Sequence, residues 1–448
     1  NSLFWLRWNP LYDLVLLFKI NEYMKKILFI LIFSIFFTNL NATDLFESIS
    51  NSPNISQSEI KQKIDMSKVK KYKNSYHIPF RANPNLPTLQ YYFHRDLFKD
   101  TPSKLDRYFV EPSETPYEFE FETIDAKSVK KELKTKGILS YLYFEDDKVI
   151  IDEVSPKDRL GQLFDDETKF RSNSMGKSLP SYILGHAICD GYIESVDSTI
   201  SDWKIVKNHL YQNHKLIDLL NMTSGDQKYA YDSHTLKGQE WNNQPHANSN
   251  LDTNNVHMTL LGWFKDKEPS EDRYYNYNVL NTQLIFNYIL FKTGDENFQK
   301  LLNKVFKEKA GIKNIVHFNK LRGLSKQGNA HNMFYATRYD YLRIAKAIMD
   351  DYQNETCVGK YLREIYDRKV LKNINHNGSR GEPHFNRTKY YGGQFHIGYP
   401  GLEEKVVFAM GGYGGKAILI DVEDSRIVVV NSIHYNHDRF KYDHKKLL

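Results

Sequence analysis

Cysteine is nearly absent from this chain of 448 residues: it has only Cys189 and Cys357, too few for a disulfide framework and without the spacing of a metal site. Their positions leave pairing open. A marked excess of one charge is also missing. The 61 basic and 55 acidic side chains leave a formal net charge of +6, the lysines are spread along the chain, and no helix-turn-helix, zinc-finger or aromatic RNA-binding pattern accompanies them, so nucleic acid is not an expected partner. No apolar run reaches the ~20 residues that a spanning helix needs. GKS at Gly176–Ser178 lacks the first glycine of a phosphate loop, whose place falls on Arg171, and GGYGGKA at Gly411–Ala417 has the wrong spacing and no hydroxyl after its lysine. Neither reads as a nucleotide site. The histidines form no HExxH, and the pair at His434 and His437 lies in a charged tail, so no metal and no cofactor are expected.

What is present is a composition suited to a sizeable core, 41% hydrophobic and 14% aromatic, in one large domain or two moderate ones. Met24 opens MKKILFILIFSIFFTNLNA, a short basic region followed by an apolar run and a small residue, Ala42. This pattern predicts a secretory signal peptide over 24–42, with 1–23 an upstream extension that is not native. The expectation is a periplasmic or secreted product with no stable membrane insertion after signal cleavage. Residues 43–135 read as a polar, lysine-rich leader and then an arm of prolines and aromatics (Pro79, Pro84, Pro87, Tyr91, Tyr92, Phe93) without sustained period; no chemistry is assigned to them.

From Gly137 the pattern becomes regular. GILSYLYFEDDKVIIDEV, Gly137–Val154, predicts a β-hairpin broken at Glu145, Asp146 and Asp147. An apolar helix then runs to Gly191, and LIDLLNMTSG at Leu216–Gly225 reads as a second helical segment. Residues 226–270 form a long polar stretch with His234, Trp241, His246, His257 and Trp263, either a partly ordered insertion bordering a site or disordered chain. Helices are expected after Tyr277 and around Tyr341, Leu342, Ala345 and Ile348. Val406–Ile433 holds three apolar runs separated by glycines and by Glu423, Asp424 and Ser425, the pattern of strands. The fold class is therefore α/β of the α+β type, an antiparallel sheet flanked by helices, with a mainly helical insertion at about 195–385 inside a domain spanning 136–440.

Chemistry points to FRSNSMGKSLPSYILGHAICDGY, Phe170–Tyr192. It sets Ser174 and Lys177 three residues apart at the mouth of the apolar helix, so hydroxyl and amine share a face. A serine hydroxyl needs a base, and a lysine of ordinary pKa ~10.4 serves only if burial or positive potential makes its neutral amine accessible. The same spacing recurs at Ser58, Ser67, Ser128 and Ser201, but only Ser174 is followed by Leu179, Ile183, Leu184, Ala187 and Ile188, residues that can bury a helix behind it.

Three segments in order resemble the serine hydrolases of the beta-lactamase and penicillin-binding family, particularly its class C-like branch of esterases, D-aminopeptidases and 6-aminohexanoate-oligomer hydrolases. The family's SxxK is matched by Ser174 and Lys177, its tyrosine motif by Tyr277 in YNVLNTQL, and its third motif by Tyr413, Gly414 and Gly415, expected on an edge strand. LLNMTSG at Leu219–Gly225 and ATRYDYLRIA at Ala336–Ala345 are similar to supporting blocks of these enzymes. The resemblance implies a beta-lactamase/transpeptidase-like fold and an acyl transfer to Ser174, with Lys177 as base, Tyr277 as proton relay, backbone amides of Ser174 and Lys416 as the oxyanion hole, and Tyr413, Gly414 and Gly415 at the substrate. The expected substrate is a small ester, an amide or a short peptide. Three departures stand out. Val279 occupies a place normally held by Asn or Ser, Tyr413 replaces the lysine that would bind a beta-lactam carboxylate, and Pro180 lies within the expected helix. A true beta-lactamase is thus not expected. The alternative is a catalytically inactive recognition module binding peptide or cell-wall ligands.

Overall fold

The computed structural model describes residues 64–72, 77–79, 82–97, 106–227, 265–321, 329–372, 388–399 and 401–434. The chain divides into residues 1–51 and 52–448, and every described residue belongs to the second unit. The expected signal segment, most of the long polar stretch (228–264) and His437 lie outside the described residues. In chain order the elements are helix α1 (Leu86–Leu97), strands β1 (Asp106–Val110) and β2 (Glu120–Phe121), helix α2 (Lys127–Thr135), strands β3 (Ile138–Glu145), β4 (Lys148–Val154) and β5 (Phe170–Arg171), then helices α3 (Ser178–Cys189), α4 (Leu216–Leu220) and α5 (Leu280–Leu302). Strands β6 (Val316–Leu321) and β7 (Asn329–Ala336), helices α6 (Arg338–Gln353) and α7 (Cys357–Asp367), and strands β8 (Val370–Leu371), β9 (Tyr390–Gly392), β10 (Phe395–Ile397), β11 (Val407–Gly412), β12 (Lys416–Asp421) and β13 (Arg426–Ser432) follow.

Alternation of apolar residues builds the main sheet, whose nine strands run β2-β4-β3-β13-β12-β11-β10-β9-β8. Its strands are antiparallel apart from the parallel β2–β4 pair. Along β13, Ile427 and Val429 join one core while Val428 and Val430 join the other; β12 divides Ile418 and Ile420 from Ala417 and Leu419 in the same way. Both faces are thus buried, as a period of two requires when each side is covered. The larger core lies under α3, α5, α6 and α7, and the smaller is capped by α2 through Val129 and Leu133, one turn apart. The predicted hairpin is present as β3 and β4, joined by Asp146 and Asp147 at φ 47° and 63°, a two-residue turn of the kind that suits twisted strands.

A second sheet of four strands, β1-β6-β7-β5, stands apart from the first. The observed elements depart from expectation twice: the segment read as mainly helical supplies β6 and β7, and the arm, read without sustained period, supplies α1, β1, β2 and α2. Asparagine, histidine and lysine interrupt the apolar pattern of β6 (VHFNKL) and β7 (NAHNMFYA), and α1 (LPTLQYYFHRDL) carries a proline in its first turn. Helix α3 ends where its glycine predicts, with Gly191 at φ 76° and the Tyr192 amide donating to the Ala187 carbonyl at 3.0 Å. Pro180 falls in its first turn, where amides lack obligatory intrahelical acceptors. Among the described residues no helix is long and apolar enough to cross a membrane.

Helix α3 is fastened to α7. Cys189 and Cys357 form a disulfide with Cα atoms 5.9 Å apart, Ser181 and Tyr361 share a hydrogen bond of 2.8 Å, and Gly185 lies against the Tyr361 ring. The Tyr182 hydroxyl donates to Asp351 at 2.5 Å, beside the buried His186. Replacing both cysteines by alanine is expected to cost about 2–5 kcal/mol of stability, read as a lower denaturant midpoint than that of the oxidised protein. Burial pushes the His186 imidazole down to about 4, partly offset by Asp351. Above its ordinary value His186 is neutral in both states; below it the unfolded chain takes up a proton that the fold resists. Stability is therefore expected to fall by up to about 3 kcal/mol as pH drops from about 6.5 to 4, and His186→Gln should flatten that slope in urea titrations.

Candidate active site

Strand β5 delivers the chain into a tight turn, Asn173–Lys177, that precedes α3. Within residues 170–187 Ser174 is the one residue that is not fully buried. Its hydroxyl accepts from the Lys177 ammonium at 3.1 Å, so the two groups meet across a single turn while the lysine stem is enclosed. Asn173, immediately before the serine, adopts φ 49°, a left-handed conformation that asparagine tolerates better than most residues. Its amide donates to the Tyr413 carbonyl at 2.9 Å. The turn is thus tied to the hairpin that joins β11 to β12.

Two glycines make this approach possible. A methyl group on Gly176 would lie 2.1 Å from the Asn332 carbonyl oxygen of β7, and one on Gly412 would lie 2.5 Å from the Ser172 carbonyl oxygen, separations no side chain could occupy. Tyr413, Gly414 and Gly415 form the β11–β12 turn, with Gly414 and Gly415 at φ 94° and 85°. This corrects the expectation of an edge strand: β11 lies between β10 and β12, and the glycines reverse the chain where they were expected to extend it. Lys416 opens β12 opposite Gly412. Tyr413 turns its hydroxyl to the Ile78 carbonyl at 3.0 Å.

Tyr277 is brought to the pair from the other side. The Lys177 ammonium stands 4.8 Å from the centre of its ring, within the range of a cation–π contact. Tyr275, Tyr391 and Met222 pack around it, and the His396 ring stacks at 6.1 Å. His396 in turn shares a 2.8 Å contact with Lys372. The segment bearing Tyr277 is fixed by a buried carboxylate that the sequence had marked only as the start of the polar stretch. Asp226 accepts from Asn276 at 2.8 Å, from Asn278 and Asn281 at 3.1 Å each, and from the Tyr211 hydroxyl at 2.6 Å. The three asparagines bracket Tyr277, and their recurrence just ahead of an apolar helix is the signal that could have found this knot. Val279 caps α5 without a side-chain hydrogen bond.

Gln394, also missed, locks the β9–β10 turn against the helices. It donates to the Leu219 and Leu220 carbonyls at 3.0 and 3.1 Å, receives the Thr282 hydroxyl at 2.6 Å, and accepts from Ser178 at its backbone oxygen at 2.7 Å. The structure thus brings Ser174 and Lys177, Tyr277 and the Tyr413–Lys416 segment together from three separate stretches. Among the described residues no group of acidic, histidine or cysteine side chains could hold a metal ion.

No family model matches the sequence, and no curated protein is similar to it. Solved structures do match. A protein from Bacillus anthracis described as a 6-aminohexanoate-dimer hydrolase superposes with a TM-score of 0.54 at 14% identity, covering 82% of this chain and 93% of its own. EstCE1, described as a hydrolase with promiscuous acyltransferase activity, gives a TM-score of 0.50 at 15% identity, covering 69% of this chain and 93% of its own. The likeness shows that the chain has the beta-lactamase/transpeptidase fold.

Asp226→Ala would leave buried amides and a hydroxyl without their acceptor, each such group costing roughly 1–3 kcal/mol. A loss of at least about 2 kcal/mol is expected on chemical denaturation, with Asp226→Asn losing less because it keeps one acceptor oxygen.

Proposed function

We propose that this chain, built on the beta-lactamase/transpeptidase fold, is an exported serine hydrolase that cleaves an ester or amide bond through an acyl-enzyme on Ser174. The observation that carries the reading is the 3.1 Å contact between the partly exposed Ser174 hydroxyl and the buried Lys177 ammonium, with Tyr277 against the same lysine. In the reacting state Lys177 is neutral and takes the Ser174 proton as the oxygen bonds to the substrate carbonyl carbon. The tetrahedral oxyanion is held by the Ser174 amide and by an amide of the β11–β12 segment, for which the sequence singles out Lys416. Collapse expels the alcohol or amine, protonated through Tyr277, and a water activated by the same pair releases the acid.

A small neutral or amide-bearing substrate fits better than a beta-lactam, because the place of a carboxylate-binding lysine is held by Tyr413, whose hydroxyl is engaged with the arm. The descriptions of the two fold neighbours, a 6-aminohexanoate-dimer hydrolase and a hydrolase with promiscuous acyltransferase activity, fall within this range. Export is supported by the Met24 segment and by the Cys189–Cys357 disulfide, a bond that persists in oxidising compartments. Val279, an apolar residue where the family's tyrosine motif carries Asn or Ser, favours a second reading as a recognition module without catalysis.

A fluorophosphonate probe is expected to label Ser174 of the mature protein, to leave Ser174→Ala unlabelled, and to react about 10²-fold or more slowly with Lys177→Met. Mass spectrometry of the labelled peptide locates the adduct. A folded protein that resists labelling would turn the assignment to the recognition module.

A further inference from the structure

A charged cluster adjoins the β11–β12 turn through the Lys416 side chain. Asp96, in the last turn of α1, accepts from the Lys416 ammonium at 2.9 Å and faces the Arg171 guanidinium at 3.6 Å. Lys416 retains 2% of its side-chain surface, Arg171 8% and Asp96 10%, so all three are effectively withdrawn from water. Burial by itself would raise the Asp96 carboxyl, yet Lys416, Arg171 and His77 together hold it well below the usual carboxylate range. Arg171 stands three residues before Ser174 at the end of β5, and Lys416 is the first residue after the glycine turn. One carboxylate therefore joins the two backbone segments between which an oxyanion would sit. The same arm touches the turn again. The Ile78 carbonyl accepts the Tyr413 hydroxyl at 3.0 Å, the His77 ring lies 4.8 Å from that of Tyr413, and the Pro79 carbonyl meets His434 at 3.1 Å.

We propose that Asp96 is a positioning residue for the Ser174 site: by binding Lys416 and Arg171 at once, it sets the spacing between the nucleophile turn and the β11–β12 turn. The arm, to which no chemistry attaches in the sequence, is on this view a structural part of the site. The inference rests on the reading of Ser174 as a nucleophile. The oxyanion site is sensitive to small displacements because its donors must meet the developing charge at hydrogen-bond distance. A buried salt bridge, moreover, is strongly destabilising when only one partner is removed, so loss of fold and loss of positioning must be separated.

The experiment is a double-mutant cycle on the full mature chain with Asp96→Asn, Lys416→Met and both together, reading the fluorophosphonate labelling rate at Ser174 well below each melting temperature. Hydrogen exchange over 171–177 and 411–416 accompanies it. Asp96→Asn is expected to slow labelling by roughly tenfold or more and to speed exchange in both segments, with Lys416→Met slowing it comparably and the double variant no further. By returning the cluster to its wild-type net charge, with Arg171 still present, the double variant should regain part of the thermal stability lost by Asp96→Asn without regaining the rate. Labelling of Asp96→Asn within about twofold of wild type, losses that multiply across the cycle, or a double variant that recovers both rate and stability would each overturn the proposal. Absence of labelling in the wild type would remove the nucleophile reading and this inference with it, whereas failure of the inference alone leaves wild-type labelling intact.

Discussion

Everything at the candidate site depends on how closely three backbones approach one another. The turn bearing Ser174 is wedged between β7 of the small sheet and the end of β11 in the large one, and glycine stands at both points of contact, Gly176 and Gly412. Any Cβ at either position would force the opposing backbone away, because the atoms it meets, 2.1 and 2.5 Å off, are carbonyl oxygens that cannot rotate aside. The serine is consequently held by main chain on both sides. Its side chain is left as the one group in a buried stretch that meets solvent. A hydroxyl held in this way is oriented before any ligand arrives, so a ligand that meets it loses less entropy of alignment.

The polar scaffold around that wedge is divided by charge. On the Tyr277 side it consists mostly of neutral amides: Asn276, Asn278 and Asn281 converge on Asp226, Gln283 bonds Asn332 at 2.7 Å, and Gln394 fastens three elements at once. Neutral amides can be buried at modest cost when their hydrogen bonds are satisfied. On the opposite side the scaffold is ionic, with Asp96 between Lys416 and Arg171. The two halves thus satisfy their buried groups by different means, one by hydrogen bonds from neutral amides to a single carboxylate, the other by ion pairing.

Legibility in the sequence followed how continuous each apolar pattern is. Strands β3, β4, β11, β12 and β13 alternate over six to eight residues, and helices α3, α5 and α6 carry sustained apolar spacing, so all could be read from the residues. The Ser174–Lys177 pair was readable for the same reason: three residues is one turn, and local geometry places the groups together. Tyr277 needed the resemblance, since one tyrosine among 31 carries no local mark. What could not be read was held by long-range pairing. Asp226 meets residues 50 to 55 positions away, and Asp96 meets Lys416 across a separation of 320. The glycine run at Gly411–Gly415 was seen as a site for close approach, correctly in kind. Its exact form, a turn and not an edge strand, depended on β10 lying beyond it, and β10 is only three residues long.

A site assembled from such distant stretches carries an entropic burden, because each contact closes a long loop before its neighbours can form. The disulfide acts on that burden directly. It joins positions 168 residues apart, closing in the unfolded chain a loop that holds Asp226, Tyr277 and Asn332 together with α5 and α6. It does so at the C-terminal end of α3, remote from Ser174, while Ser181 and Gly185 seat the preceding turns of the helix on Tyr361. Oxidation therefore restricts the unfolded ensemble without imposing its geometry on the Ser174 turn. The covalent constraint lies at one end of α3 and the Ser174 turn precedes the other, so the fold can be made more stable by the one without limiting small adjustments of the other.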